Sequence, residues 1–298
     1  MNSDHTNLSL KKRAKTFYFA SLFFAKEIQN DIETLYFFCR YIDDIGDSKK
    51  GGRLFLKKSL ESIRKQLREK NPKNEIVSAF LDLTCKYNID IKIPIDLING
   101  VIGDLENVNI SDYDELITYS YKVAGTVGFM MCKIMNVSDK KIIFKGIQLG
   151  IAMQFTNIAR DIKEDLESGR IYFPKEFRLN IKENFHELIS KPNLQKIFSK
   201  DLQNYLDLTD KIYKTAWKGI ISLPFKYKIP ISVAAYLYQS IGSKIRRKKY
   251  NVWNERVYLS TFEKLVKSLR VIYMILFYNS KSCDQVVDKR IKKILKIT

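Results

Sequence analysis

The sequence predicts an all-α protein with a single domain, and three features agree on this. Apolar residues recur at helical spacing along most of the 298 residues, and only six prolines and twelve glycines interrupt them. No convincing run of alternating apolar and polar residues indicates a strand. With 45% apolar residues, the chain can bury a sizeable core.

The predicted helices follow one another with short breaks. Turn chemistry at Gly51-Gly52 separates two helices, Asn71-Pro72 separates the next pair, and Ser168-Gly169 followed by Pro174 ends the longest. None of these breaks is a long linker and no fixed repeat stands out, so residues 1–298 form one predicted domain. The predicted helices span residues 9–22, 26–47, 53–69, 74–87, 94–108, 112–135, 139–167, 199–220, 229–249, 257–278 and 284–296.

The charge balance bears on the partners. The formal net charge is +19 at pH 7, and such a field attracts phosphorylated substrates, anionic lipid or nucleic acid. Alternatively, the lysines have no anionic partner and only keep the surface hydrated. No zinc finger, recognition helix or RNA-binding aromatic motif accompanies the charge, so we expect no nucleic-acid partner.

A metal site in this chain would depend on carboxylates. Only two histidines, His5 and His186, are present, and the four cysteines lack the paired spacing of a zinc or redox motif. No apolar run approaches the roughly 18 residues that span a bilayer. The first residues lack the apolar core of a secretory signal, so the expected location is the cytoplasm.

An acidic cluster, CRYIDDIGD at residues 39–47, closes the predicted helix 26–47. Asp43 and Asp47 lie four residues apart and share a helix face, where like charges repel each other by a few tenths of a kcal/mol. A divalent cation would account for the pairing. A solvated acidic helix end is the alternative.

A second polar stripe runs along the predicted helix 139–167. Steps of three, four and four residues place Gln154, Asn157, Asp161 and Asp165 on one face, while apolar residues on another face anchor the helix. Magnesium prefers oxygen ligands and commonly bridges carboxylates to substrate phosphates. Two facing helices with such stripes would suit it.

These clusters resemble the motifs of the squalene and phytoene synthase family. The family patterns CR.(I/V)DD..D and Q.TNI.RD..ED...GR.Y.P read here CRYIDDIGD and QFTNIARDIKEDLESGRIYFP. A third segment, YSYKVAGTVG, is similar to the family's YxVAGTVG stretch, and the likeness extends from about Lys15 to Arg256. It implies an isoprenoid synthase helical fold with a central cavity flanked by two Asp-rich helices.

The resemblance also implies roles for individual residues. The magnesium ions that bridge to diphosphate would be held by Asp43, Asp47, Asn157, Asp161 and Asp165. The diphosphate would be contacted by Thr16, Arg40, Arg160 and Arg256. The reaction cavity would be lined by Tyr36, Tyr121, Gln154 and Tyr238. Hydroxyl groups and ring faces there would stabilise cations or guide a departing proton, and plain packing is the alternative for the tyrosines.

The activity implied is head-to-head condensation of two prenyl diphosphates. Two geranylgeranyl diphosphates would give phytoene through prephytoene diphosphate, a cyclopropylcarbinyl intermediate that forms after the first diphosphate leaves. Hydride capture from NADPH would give squalene instead, and we expect NADPH only in that case. The sequence shows no Gly-rich dinucleotide fingerprint, which favours the non-reductive product. Manganese is an alternative to magnesium.

Three alternatives within the enzyme class share these motifs: squalene, diapophytoene and presqualene diphosphate synthases, which use farnesyl diphosphate. A non-catalytic, membrane-associated assembly relative is an alternative of another class, although no expected metal ligand has been lost.

Ala14 and Ala25 depart from the family pattern, which usually has a small hydroxyl residue and a proline there. Ser21, one turn beyond Phe17, is a small residue that would leave room for a C20 chain, and plain packing is the alternative.

Substrates this apolar partition into bilayers, so we expect peripheral contact with an anionic membrane, on its inner face. Each cation near such a surface contributes about 1 kcal/mol. The C-terminal run DKRIKKILKIT either lies amphipathically at the interface or docks on the core. The sequence leaves the oligomeric state open. The candidate docking cations are Lys244, Arg246, Arg247, Lys248 and Lys249.

Overall fold

Helices joined by short turns make up most of the structure, a computed structural model that describes residues 22–48, 51–106, 108–181, 184–277 and 285–295. In these ranges the β structure is limited to one parallel bridge, between Asn109 and Ile171, so the all-α prediction is confirmed. The α-helices are α1 (Lys26–Gly46), α2 (Gly52–Glu69), α3 (Glu75–Lys86), α4 (Lys92–Gly103), α5 (Tyr113–Ser120), α6 (Thr126–Ile134), α7 (Lys140–Glu167), α8 (Pro192–Ile221), α9 (Phe225–Arg247), α10 (Thr261–Phe277) and α11 (Gln285–Leu295).

Most helix bounds fall within two residues of the prediction, and the exceptions have physical causes. The predicted helix 9–22 lies outside the described residues except for Leu22, which is in a turn. Helix α8 begins earlier than predicted, with Pro192 at its first position, where a missing N–H costs nothing. Helix α9 also begins earlier and contains Pro230, which removes one backbone hydrogen bond.

Other differences lie at the ends of α4 and α10 and in the segment after α7. The predicted helix 94–108 ends already at Gly103, and the predicted helix 257–278 begins only at Thr261. Two short 3-10 helices, Lys175–Phe177 and Phe185–Ile189, were not predicted. Segments this short bury too few residues to produce a periodic signal.

The predicted helix 112–135 consists of three consecutive segments. Helix α5 runs into a π-helical turn, Tyr121–Gly125, which runs into α6. Such turns are rare and occur often at functional sites. Helix α7 lies tightly against this turn, because a Cβ atom on Gly150 would come within 2.3 Å of the Ala124 carbonyl oxygen.

Helix α7 is the central element. Its 28 residues extend about 42 Å at 1.5 Å per residue, and it packs against α6, the π-helical turn, α8 and α9. Phe155 is fully buried and stacks on Tyr205 of α8, with 5.4 Å between ring centroids. The Thr156 and Tyr213 hydroxyl oxygens lie 3.0 Å apart. These contacts fix the register between α7 and α8.

Helix α1 packs on α2, α3, α4 and α6. Phe38 is fully buried and stacks on Phe80 of α3 at 3.6 Å between centroids. Ile42 is also fully buried, one residue before Asp43. Apolar anchoring therefore continues up to the acidic cluster and holds that end of the helix in place.

The single bridge connects the segments that follow α4 and α7. The Ile171 N–H donates to the Val108 carbonyl at 2.9 Å, and the Ile110 N–H donates to the Ile171 carbonyl at 3.0 Å. Gly169, with φ of 75°, provides the turn out of α7. The bridge brings residues 170–172 beside Asp104 at the end of α4.

The C-terminal helix α11 docks on the core. Ile291 is fully buried, Asp288 forms an ion pair with Lys145 of α7, and Arg290 donates to Asp114 at 2.9 Å. The second of the two predicted arrangements for this run is therefore present in its described part. No helix in the described ranges has the length and apolar character needed to cross a bilayer.

Candidate active site

An apolar cavity of about 300 Å³ lies between the π-helical turn and helices α6 to α9. Glycines in its wall leave space for the cavity, because they have no side chain to fill it. They also let the surrounding helices approach one another closely. Gly128 of α6 shows how tight this packing is, since a Cβ atom there would come within 2.2 Å of the Gly146 carbonyl oxygen. Apolar side chains of the lining include Met131, Met135, Ile142, Leu149, Met153, Leu223 and Ile231.

An acidic cavity of about 240 Å³ lies beside it. Helices α1 and α7 provide two carboxylates each, and the end of α4 provides a fifth. One arginine, Arg170, two tyrosines, Tyr119 and Tyr172, and two amides, Gln154 and Asn157, complete its polar lining. The carboxylates are Asp43, Asp47, Asp104, Asp161 and Asp165.

The two cavities share part of their lining. Asp43, Val123, Gln154 and Asn157 line both of them. A single ligand can therefore place an anionic head among the charged groups and an apolar chain among aliphatic side chains. The predicted arrangement of a central cavity flanked by two Asp-rich helices is confirmed.

Two of the predicted phosphate-binding arginines contact one predicted metal ligand. Arg160 donates through Nε to Asp161 Oδ1 at 2.7 Å and through Nη2 to Oδ2. Arg256 donates to the same Oδ2 at 3.0 Å, and its other terminal nitrogen lies 3.4 Å from Glu164. The paired guanidinium groups neutralise the Asp161 carboxylate and place positive charge beside the acidic cavity.

Arg40 of α1 forms an ion pair with Asp44, one turn along the helix. Its Nε atom is buried and has no hydrogen-bond partner among the described residues. Across the acidic cavity, Arg170 lies 3.5 Å from Asp47. A buried donor without a partner is costly, so an acceptor such as a phosphate oxygen would stabilise Arg40.

Burial and crowding raise the pKa values of three carboxyl groups. Burial raises the pKa of Asp43 to about 7, Arg40 opposes this shift, and Asp47 adds to it. Burial, reinforced by Asp161, raises the pKa of Asp165 to about 7. Burial also raises the pKa of Asp104 to about 6, against hydrogen bonds that lower it. Such a dehydrated group of acids is stabilised by a cation.

The donors present fit magnesium. They are carboxylate and amide oxygens, and the Asn157 Oδ1 atom is buried with no hydrogen-bond partner in the part of the chain that the structure describes. In the described ranges, no three Asp, Glu, His or Cys side chains converge closely enough to form a complete metal site. The fit is therefore to an ion that takes a few carboxylate ligands and completes its shell with water and phosphate, as magnesium does.

The four predicted cavity residues lie in different surroundings. Gln154 and Tyr238 line the apolar cavity, whereas Tyr36 and Tyr121 are not among the described residues that line either cavity. Burial and the nearby Asp96 raise the pKa of Tyr121 to about 12, so this side chain is close to the start of α4. Thr16 lies outside the described residues.

Sequence reasoning missed part of the acidic cavity. The Tyr172 hydroxyl donates to Asp104 at 2.8 Å and the Tyr119 hydroxyl to the same carboxylate at 3.3 Å, and the two rings stack at 4.8 Å between centroids. Asp104 has no acidic residue at three- or four-residue spacing, so no pattern marked it. Arg170 and Tyr172 belong to the quoted GRIYFP segment, which is the signal that could have identified them.

The fold and the joined cavities define a class of enzyme, the helical prenyltransferases, in which an apolar chain and a diphosphate are held side by side. The family described as squalene/phytoene synthase matches residues 10–263. Because this match covers most of the chain, the protein belongs to the squalene/phytoene synthase family, and its reaction type is head-to-head prenyl condensation.

Individual relatives agree with this assignment. The chain is 30% identical to a 15-cis-phytoene synthase of Enterobacter agglomerans over 85% of its length and 88% of that protein. It is also 30% identical to a chloroplastic phytoene synthase of Daucus carota, over 87% of this chain and 67% of that one. A dehydrosqualene synthase structure matches 92% of this chain and 96% of that one with a TM-score of 0.78 at 23% identity. The structure of squalene synthase HpnC from Alicyclobacillus acidocaldarius matches 83% of this chain and 94% of that one, with a TM-score of 0.72 at 19% identity.

Proposed function

We propose that the protein is a phytoene synthase that condenses two geranylgeranyl diphosphates through prephytoene diphosphate and releases diphosphate. The observation that carries the proposal is the junction of the two cavities at Asp43, Gln154 and Asn157. It lets a long prenyl chain lie in the apolar cavity while its diphosphate stays among charged groups. The names of the relatives, phytoene synthases of bacteria and plants, support the C20 substrate.

Magnesium is the proposed metal, and the family typically uses it. When bound, it supplies Lewis-acid stabilisation of the departing diphosphate. Asp47, at the end of α1, and Asp165, on the opposite wall, both line the acidic cavity, which favours a site between the two helices. The proposed ligands are Asp43, Asp47, Asn157, Asp161 and Asp165.

The proposed diphosphate contacts are arginines, with Thr16 from the N-terminal motif. A guanidinium fork binds phosphate oxygens in the same bidentate manner in which Arg160 binds the Asp161 carboxylate. Arg256 approaches the same site from the segment between α9 and α10. The buried Nε of Arg40 provides a further donor.

The remaining residues shape and protect the reaction space. Tyr238 is half-buried at the wall of the apolar cavity, where its ring face can stabilise a passing allylic cation. Gln154 lies at the junction and can orient the chain by its amide. Tyr36 and Tyr121 stay proposals from the motifs alone. Apolar walls exclude the water that would quench a cation.

A product assay tests the proposal. Purified protein is incubated with Mg²⁺ and, separately, farnesyl or geranylgeranyl diphosphate, with and without NADPH, and the extracted hydrocarbons are separated by chromatography. We expect phytoene from the C20 substrate without NADPH, and none from the Asp161→Ala variant. A C30 product would instead identify a squalene or dehydrosqualene synthase. Absence of product from both substrates would favour a non-catalytic relative.

A further inference from the structure

Helix α10 presents most of its large apolar side chains to solvent, although Val271 is buried. Phe262 is 74% exposed and Leu269 61% exposed, whereas Lys264 is 6% and Ser268 1% exposed. The usual orientation of a surface helix is the reverse, with apolar residues inward and polar residues outward. Lys264 and Ser268 lie on the buried side of α10, which packs mainly against α9.

The exposed residues form one continuous stripe. Their steps of four, three, four and three residues place them along one side of a helix, and Leu265 and Met274 widen the surface. A contiguous apolar patch on a protein surface marks a contact with a partner or a membrane. The α10 stripe consists of Phe262, Val266, Leu269, Tyr273 and Leu276.

Cations surround this stripe. Lys267 and Arg270 lie on α10 itself, and burial together with the nearby Arg247 of α9 lowers the pKa of Lys267. The one acidic residue of α10, Glu263, is neutralised by Lys244 at 2.7 Å. The patch is therefore apolar in its centre and positive at its edge, which matches the anionic surface of a bilayer.

Apart from Arg247, the paired members of the basic cluster predicted from the sequence are less suited to this role. Arg246 lies 2.8 Å from Asp207 and 2.9 Å from Asp210, and Lys248 forms an ion pair with Glu255. Cations that are already neutralised contribute little to attraction by an anionic surface. Among the described residues, the cations near α10 have fewer acidic partners, since Arg247 lies 3.9 Å from Glu263, which Lys244 already contacts. These cations therefore determine the orientation.

We propose that α10 docks the protein on an anionic phospholipid bilayer, with the α10 stripe in the interfacial region and Lys267 and Arg270 among the headgroups. The position of α9 gives this docking a consequence. Ala234 and Tyr238 of that helix line the apolar cavity, while Tyr236 faces Lys267 of α10 with 5.7 Å between ring centroid and Nζ. The docked helix is therefore separated from the cavity by a single helix.

Vesicle binding of the full chain tests the inference. Cosedimentation is measured with phosphatidylcholine vesicles that contain about one-third phosphatidylglycerol, and with pure phosphatidylcholine. The test variant is Phe262→Ser/Leu269→Ser. The matched control is Phe55→Ser/Leu179→Ser, which removes side chains that are 61% and 75% exposed on other faces. Circular dichroism and size-exclusion chromatography verify fold and oligomeric state for each protein.

We expect binding to the anionic vesicles that weakens with added salt. The test variant should lose at least about tenfold in partition coefficient, since two apolar side chains no longer enter the interface. The control should bind like wild type. Lys267→Gln/Arg270→Gln should bind the anionic vesicles at least about fivefold more weakly and pure phosphatidylcholine without change.

A fluorescent reporter gives a direct measure of contact. In a Leu269→Trp variant, emission should shift to shorter wavelength on addition of anionic vesicles, and in Leu179→Trp it should not. The inference is overturned by equal vesicle binding of the test and control variants, by wild-type protein that stays in the supernatant, or by a wild-type dimer that the test variant converts to monomer without loss of vesicle binding. Because no prenyl substrate is added, these outcomes are independent of the product assay.

Discussion

The Asp161 carboxylate connects two distant parts of the sequence. It accepts hydrogen bonds from Arg160, its neighbour in α7, and from Arg256, which follows α9. Both guanidinium groups are thereby held beside the acidic cavity before any diphosphate is bound. This one carboxylate therefore positions the cations that a diphosphate requires, in addition to its proposed role as a metal ligand.

Asp161→Asn should lower kcat/KM by about 100-fold or more. Removal of a single group that stabilises charge in a transition state commonly has an effect of this size in enzymes. Glu164→Gln is the matched control, because Glu164 contacts only Arg256 of these two arginines, at 3.4 Å. The measurement is product formation from the preferred prenyl diphosphate at saturating Mg²⁺. Equal loss in both variants would mean that general negative charge near Arg256, rather than Asp161, matters.

Asp43→Asn should stabilise the metal-free protein and abolish most of its activity. The folded-state pKa of Asp43 is about 7, raised by burial above its ordinary value. The ionised carboxylate is therefore unfavourable in the folded protein above that pH, and a neutral amide removes the penalty. At pH 8 we expect a gain of up to about 4 kcal/mol in unfolding free energy.

Thermal unfolding in EDTA measures this gain, and Asp44→Asn is the control. Asp44 is paired with Arg40 near the surface, so its replacement should change stability by well under 1 kcal/mol or lower it slightly. A lower unfolding temperature for Asp43→Asn than for wild type at pH 8 would contradict the electrostatic argument.

At this scale the sequence identified residues that occur in a repeated pattern. Asp43 and Asp161 belong to charged stripes, so spacing alone drew attention to them. Asp104 is a single acid at a helix end, and only the Ile171 bridge brings Tyr172 to it. Tyr119 lines the acidic cavity, whereas Tyr121 does not. Two residues that are two positions apart, such as Tyr119 and Tyr121, point about 200° apart around an α-helix. A π-helical turn changes this angle, and the sequence does not show that the turn is there.

The helices that enclose the apolar cavity depend on close backbone contact. Gly128 of α6 lies directly against Gly146 of α7. Small residues at such crossings bring the helices together while leaving space for the cavity between larger side chains. Cavity shape is therefore a property of this pair of elements.

Gly128→Ala should destabilise the protein by about 1–3 kcal/mol, the usual cost of overpacking. A new Cβ atom would lie 2.2 Å from a backbone oxygen that cannot move independently of α7. Chemical denaturation measures the change. Gly103→Ala, at the end of α4 with no atom of the described residues within 4 Å of the added atom, should be neutral or stabilising by up to about 1 kcal/mol. If both variants were equally stable, the close α6–α7 contact would be disproved.

Elements were predictable where one face is apolar and the ends carry strong signals. Helix α7 was found within one residue because its pattern is long and Ser168-Gly169 ends it. Helix α10 was also found, but periodicity shows only that its two faces differ. Which face lies inward depends on α9, and the burial of Ser268 with exposure of Leu269 is opposite to the usual rule.

The molecule is strongly basic as a whole, but acidic side chains are concentrated in one cavity. The chain carries a formal +19, yet five carboxylates line one cavity. Positive surface charge attracts anionic diphosphates over a distance, whereas the carboxylates repel them at close range unless cations are also present. The molecule is therefore expected to bind substrate well only together with its metal.

The free energy of unfolding should depend on pH, because the buried carboxyl groups of the acidic cavity ionise in the folded protein only at raised pH. The folded-state pKa values of Asp43, Asp165 and Asp104, about 7, 7 and 6, all lie above the ordinary value of 3.8. Their favourable contribution is complete below pH of about 4 and is lost as pH rises through 6 to 7. A bound cation stabilises the ionised forms, so Mg²⁺ should raise the unfolding temperature more at pH 8 than at pH 5.5.

Differential scanning fluorimetry with Mg²⁺ or EDTA at each pH measures the effect. The difference between the two at one pH isolates the metal-linked groups, because carboxylates far from the cavity titrate alike in both samples. In Asp43→Asn/Asp165→Asn, the extra stabilisation by Mg²⁺ at pH 8 should largely disappear. A rise of equal size at both pH values in the wild type would show that the metal does not bind the buried carboxylates, and the proposed ligand set would then be wrong.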